Sequence, residues 1–195
     1  GIALTMLGGR YVLPLHAACV ERAGKGLLLC GNSGSGKSSL AYACARAGWN
    51  FLSDDASYLV SNSGSRLVVG NPQRLRMRPS AKQLFPEIRA FDLTPHATTE
   101  PSIEIPTSQL SLRTAHCTTV EHVVFLNRNH DGPAALLPFP KPMAMAWARQ
   151  SWEATEDEGE EAPGLDRLLN AKLHEMRYSD LHDAIRLLEQ MAGHE

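Results

Sequence analysis

Apolar positions fall in short runs divided by turn residues, with a few stretches of helical spacing between them. Arg10 to Val20 is rich in apolar residues and reads as a strand. Ala23-Gly24-Lys25-Gly26 is turn chemistry. Leu27-Leu28-Leu29-Cys30 is a continuous apolar run of the kind found in strands covered on both faces, so the two runs predict a hairpin. Ser38 to Ala47 is dense in alanine and leucine and closes on Gly48, which predicts a helix followed by a glycine cap. Phe51-Leu52-Ser53 returns as a strand and delivers Asp54-Asp55. Tyr58 to Val60 and Arg66 to Val69 flank Asn62-Ser63-Gly64-Ser65, a second hairpin.

From Asn71 to Thr107 prolines are frequent and periodicity is weak, apart from a short helix expected near Ser80 to Phe85. Val120 to Asn127 predicts a strand ended by Asp131-Gly132-Pro133, and a helix is expected over Met143 to Trp152. Glu153 to Glu161 carries six acidic residues and reads as a solvated loop. Ser179 predicts an N-cap for a helix over Asp180 to Met191, where Leu181, Ala184, Ile185, Leu188 and Met191 recur at helical spacing. The pattern predicts an α/β fold in one domain over residues 1–195: a P-loop core with hairpin-linked strands, a mixed sheet and a few flanking helices.

At 195 residues, 43% hydrophobic and 21% charged, the chain is long enough for one well-buried domain. It opens at Gly1 and soon enters apolar sequence, so a preceding N-terminal portion or domain is expected. A net charge of -2 gives no reason to expect nucleic acid or an anionic membrane as the main partner. Cys19, Cys30, Cys44 and Cys117 form no close pair, which fits free thiols in a cytoplasmic protein. No apolar run approaches the roughly 20 residues that span a bilayer.

The strongest chemical signal is Gly31-Asn32-Ser33-Gly34-Ser35-Gly36-Lys37-Ser38, followed by Ser39, between a predicted strand and a predicted helix. In Gly-x-x-x-x-Gly-Lys-Ser, small residues let successive N–H groups turn inward around a β-phosphate, the lysine reaches the β and γ oxygens, and the serine holds magnesium. The helix start adds its positive end. ATP and Mg2+ are therefore the expected cofactors. Phosphoryl transfer also needs a proton acceptor and help in placing the metal, and Asp54-Asp55 supplies carboxylates after a strand expected to run beside the loop strand. No helix follows for the pair to cap. His16, one strand upstream, reads as a structural residue, or, if its strand pairs beside the loop, as a partner that orients one carboxylate.

His16, the glycine loop and Asp54-Asp55, in this order and spacing, resemble the core of HPr kinase/phosphorylase and its relatives, most closely from Leu15 to Asp55. Relatives include kinases of lasso-peptide clusters, which are similar in Glu121 to Leu126 and Arg177 to Leu181. The fold is shared with phosphoenolpyruvate carboxykinase. The resemblance implies that Asp55 accepts the proton of a serine hydroxyl on a peptide or small protein, with Asp54 supporting the lysine and metal. Lys37 would steady the transferring phosphate, Ser38 would bind magnesium and His16 would orient the carboxylates. Glu87 resembles a further metal-assisting glutamate. Arg113 is the candidate for an arginine near the acceptor, with Arg76 and Arg78 as rivals. The chain lacks the Arg-Pro-Gly-Arg stretch of the family's C-terminal part, so phosphorolysis and HPr itself are not implied, and a homo-oligomer is left open. A small-molecule hydroxyl kinase and a regulatory ATPase module are the alternative readings.

Overall fold

The computed structural model describes residues 11–97, 100–128, 132–152 and 164–193. Three long strand runs organise it. β1 (Val12–His16) and β2 (Ala18–Arg22) are separated by Ala17 alone, and β4 (Asn50–Ser53) and β5 (Ala56–Val60) by the two aspartates. The third run is β10 (Cys117–Arg128), which pairs with β6 (Leu67–Gly70) at its start and with β3 (Lys25–Cys30) further on. The strand order is β1-β5-β6-β10-β3-β2-β4, with β12 (Lys172–Tyr178) also on β10 and β11 (Ala135–Pro138) on β12. Among the described strand pairings, β10 with β3 and with β12 are parallel and the rest antiparallel, so the expected α/β class with a large mixed sheet is what the chain forms.

One apolar cluster joins this sheet to α1 (Lys37–Arg46) and α5 (Leu181–Gly193), through residues such as Leu27, Leu29, Leu40, Val124, Met176 and Leu188. A second lies against α3 (Lys141–Ser151) and α4 (Leu165–Leu168), with Leu28, Cys30, Val123, Phe125, Ala144 and Trp152. Alternate residues of β3 thus enter opposite clusters, which is why Leu27 to Cys30 is apolar without a break.

Residues 71–107 hold structure that the sequence pattern did not predict. β7 (Arg74–Met77), β8 (Leu93–Thr94) and β9 (Ser102–Pro106) form a separate antiparallel sheet in the order β7-β9-β8. Leu75, Met77, Ile103 and Ile105 are buried at alternate positions and lock it onto the α1 cluster. The short helix α2 (Ala81–Leu84) lies within the expected stretch. β11, α4 and β12 were not anticipated.

Two expectations need correction. β4 does not run beside β3, because antiparallel β2 lies between them. The cap of α5 is Asp180, not Ser179: Asp180 Oδ1 accepts the backbone N–H of His182 (2.7 Å) and Asp183 (3.2 Å). The acidic run from Glu153, and Asp131 of the expected strand end, lie outside the described residues.

Candidate functional site

β3 delivers the glycine loop at its C-terminal end, and α1 begins at Lys37. Gly36 caps that helix at φ 98°, in the left-handed region that favours glycine. A Cβ there would stand 2.6 Å from the Tyr178 hydroxyl. That hydroxyl donates to Ser35 O (3.0 Å), so the end of β12 props the loop from behind. Lys37 Nζ donates to Gly31 O (2.8 Å) and Asn32 O (3.4 Å), which closes the loop on itself. The lysine is buried, and that burial pulls its pKa below the ordinary value while Asp55 opposes the shift.

The two aspartates occupy the link between β4 and β5. Antiparallel pairing sets His16 opposite Ala56, which brings its ring to the preceding residue. His16 Nδ1 lies 3.0 Å from Asp55 Oδ1, and both side chains are about half exposed. Asp54 turns inward. It is buried, and its Oδ2 accepts the Arg76 backbone N–H at 2.7 Å. Burial pushes the Asp54 pKa up to about 7, the Arg76 N–H counters this, and the Asp55 charge adds to it. Ser38 Oγ donates to Asp54 O at 3.4 Å, tying the helix start to the aspartate link.

These groups surround a cavity of about 530 Å³. Ser33, Gly34, Gly36, Lys37, Ser38 and Ser39 form its loop side, and His16 and Asp55 a second side. The small sheet supplies Arg76 and Ser102, and Arg78 follows directly after β7. Arg78 also donates to Ser33 Oγ (2.9 Å), so it leans over the loop. Gly31, Asn32 and Ser35 shape the loop without lining the cavity, and Asp54 lies beneath it.

Two sequence candidates are not brought here. Glu87 Oε1 accepts from Tyr42 OH (3.1 Å) and pairs with Arg46 (2.8 Å) at the last residue of α1. That end is about 14 Å along the helix from Lys37 at 1.5 Å per residue. Glu87 therefore serves the far end of α1, and its proposed place beside the metal is withdrawn. Arg113 lies along β4, where its carbonyl accepts the Phe51 N–H (2.9 Å), and it does not line the cavity. Its rivals Arg76 and Arg78 do.

Sequence reasoning missed Arg128, Glu100, Ser102 and Tyr178. Arg128 ends β10, which runs parallel to β3, so its side chain reaches the same end of the sheet as the loop and lies beside Gly36. Glu100 lines the cavity without a motif to mark it. Of the charged side chains on the walls, Lys37, Arg76, Arg78 and Arg128 oppose Asp55 and Glu100, which suits a strongly anionic occupant. Among the described residues no group of three or more His, Cys, Asp or Glu could hold a metal by itself. No described helix is long and apolar enough to cross a membrane.

No protein-family model matches the sequence, and no curated protein matches it. Among solved structures, the Hpr(Ser) kinase/phosphatase from Coxiella burnetii is similar at a TM-score of 0.48 and 14% sequence identity, over 92% of this chain and 93% of that chain. A likeness at that score and identity assigns no role to any residue.

Proposed function

We propose that this chain is an ATP-dependent kinase that transfers the γ-phosphoryl group to a serine hydroxyl of a peptide or small protein. The observation that carries the reading is Asp55, held by His16 at 3.0 Å on one wall of a cavity whose other wall is the glycine loop with Lys37. Such a cavity joins a phosphate cradle to a carboxylate placed to take a proton.

The residues present fit the nucleotide and metal. A side chain at Gly36 would strike Tyr178, so the loop keeps a glycine at the turn into α1, as a backbone cradle for phosphate requires. Ser38 and the carboxylates offer only hard oxygen donors, the set that magnesium takes together with substrate phosphates. Bound Mg2+ would neutralise charge on the transferring group. Lys37, now folded onto Gly31 O and Asn32 O, would swing a short way to the β and γ oxygens, with Arg78 and Arg128 flanking the loop. His16 Nδ1, 3.0 Å from Asp55 Oδ1, would steady that oxygen and leave Oδ2 for the acceptor hydroxyl. Asp54 holds the link rigid through the Arg76 N–H.

The rim favours a peptide over a small metabolite. Arg76, Arg78, Ser80, Gln83, Leu84 and Glu100 are exposed while lining the cavity, so the acceptor side is open to a chain passing across it. The test is intact-mass analysis of serine peptides incubated with the protein, magnesium and ATP. One added phosphate is expected. Asp55→Asn should keep nucleotide affinity and lose about 10²–10⁴-fold in transfer, the usual contribution of a general base. Lost ATP affinity in that variant would assign Asp55 to the metal instead.

A further inference from the structure

The small-sheet wall carries an arginine whose posture the nucleotide does not explain. Arg76 Nε donates to Ser102 Oγ at 3.2 Å, and that hydroxyl lies 2.7 Å from His96 Nε2. Ser102 is 5% exposed, so this anchor is part of the fold and not a chance surface contact. Glu104 backs the group, with Oε1 3.6 Å from His96 Nε2 and Oε2 on Arg74 at 2.6 Å. The serine accepts from Arg76, and the direction of its bond with His96 is set by the tautomer of that ring. One guanidinium nitrogen is fixed, and the two terminal nitrogens meet no partner among the described residues.

The loop side already has its cations: Lys37 within the loop, Arg78 tied to Ser33 and Arg128 beside Gly36. Arg76 is a fourth, and its anchor is not the loop but Ser102 of β9. A fixed guanidinium with a free planar edge matches a carboxylate in two parallel hydrogen bonds, a geometry that a lysine cannot offer. A solvated arginine would need no buried serine to hold it.

We infer that Arg76 binds a carboxylate side chain next to the acceptor serine, so that the substrate is an acidic peptide segment and Ser102 is a positioning residue for the guanidinium. This rests on the kinase reading and narrows its substrate class. Charge-assisted hydrogen bonds of this kind correspond to a preference of about 10-fold or more.

The test uses C-terminally amidated serine peptides with Asp or Glu within two residues of the serine, paired with Asn or Gln counterparts. The acidic set should be phosphorylated about 10-fold more efficiently, mainly through KM, and the ratio should fall to near one in Arg76→Gln. That variant keeps the backbone N–H that holds Asp54. Ser102→Ala should lower the ratio and Ser102→Thr should restore it, with nucleotide affinity unchanged in all three variants. Equal use of both sets by the unmodified protein overturns the inference. So does weakened nucleotide binding in Arg76→Gln, since Arg76 would then serve the nucleotide. If no peptide is phosphorylated, the kinase reading falls, and titrating succinate into the protein loaded with magnesium and a non-hydrolysable ATP analogue decides the subsite alone. A shift of the Arg76 Nε–H resonance in nitrogen-15 spectra supports it, and no shift overturns it.

Discussion

Replacing Gly36 with alanine tests two forces at one atom. The backbone sits at φ 98°, where an L side chain costs roughly 1–2 kcal/mol. The new Cβ would also stand 2.6 Å from the Tyr178 hydroxyl. Tyr178 is fully buried and cannot swing away, so the clash must break its hydrogen bond to Ser35 O or shift the loop. Losing that bond with the Tyr178 hydroxyl still buried costs about 1–3 kcal/mol. The sum is about 2–5 kcal/mol, which a domain of ordinary stability survives folded. Urea unfolding followed by fluorescence of Trp49, Trp147 and Trp152 reads it directly. Tyr178→Phe separates the two contributions. Alone it should cost about 1 kcal/mol; in the Gly36→Ala background it should cost nothing or recover stability, because it removes the struck atom. Nucleotide affinity should fall in Gly36→Ala and partly return in the double variant. A stability change under about 0.5 kcal/mol, or simple additivity of the two substitutions, would refute the reasoning.

Lys37→Met should abolish most nucleotide binding, yet keep or raise the urea midpoint, because burial costs the ammonium more than its two carbonyl partners and the Asp55 charge return; a large loss of stability would show that the lysine is a structural strut. Acid should weaken the fold at His122, whose pKa burial pushes down to about 4, with His174 and Lys172 adding, Glu121 opposing and Lys25 adding least. The folded ring stays neutral while the unfolded chain takes up a proton near pH 6.5, so the stabilisation is complete above about pH 6.5 and is lost as pH falls toward 4, by on the order of 2–3 kcal/mol. Urea midpoints across that window should drop more steeply for the unmodified protein than for His122→Gln, and parallel curves would sink the assignment.

Local signals carried the first third of the fold and little of the rest. The β3 run, the Gly48 stop and the Asn62 to Ser65 turn each lie within a few residues of the element they define, so they were readable along the chain. The small sheet was not, although Arg74-Leu75-Arg76-Met77-Arg78 and Ser102-Ile103-Glu104-Ile105 alternate cleanly. Prolines on both sides outweighed that alternation, but Pro72, Pro79, Pro101 and Pro106 bound or end the strands and remove no bond from their interior. β12 hid for another reason. Its charged residues Lys172, Glu175 and Arg177 break up the apolar positions, while Met176 and Tyr178 alone are fully covered.

The candidate site divides along the same physical line. The glycine loop is one continuous segment, so its geometry follows from its own sequence. The contact between His16 and Asp55 depends on β1 pairing with β5, roughly 40 residues on. Chain order could suggest it, but only the register His16 to Ala56 makes it. The arginines went astray because charge is visible in sequence and facing is not. The sequence favours Arg113 over Arg76, yet strand pairing puts Arg113 along β4 and Arg76 over the cavity. Had residues 74–78 been read as a strand, Arg74, Arg76 and Arg78 would have shared one face, opposite buried Leu75 and Met77. That face would still have lacked a direction. Asp54 supplies it: by accepting the N–H of Arg76 it fixes β7 against the aspartate link, so the strand that carries the arginines and the link that carries Asp55 meet at one hydrogen bond.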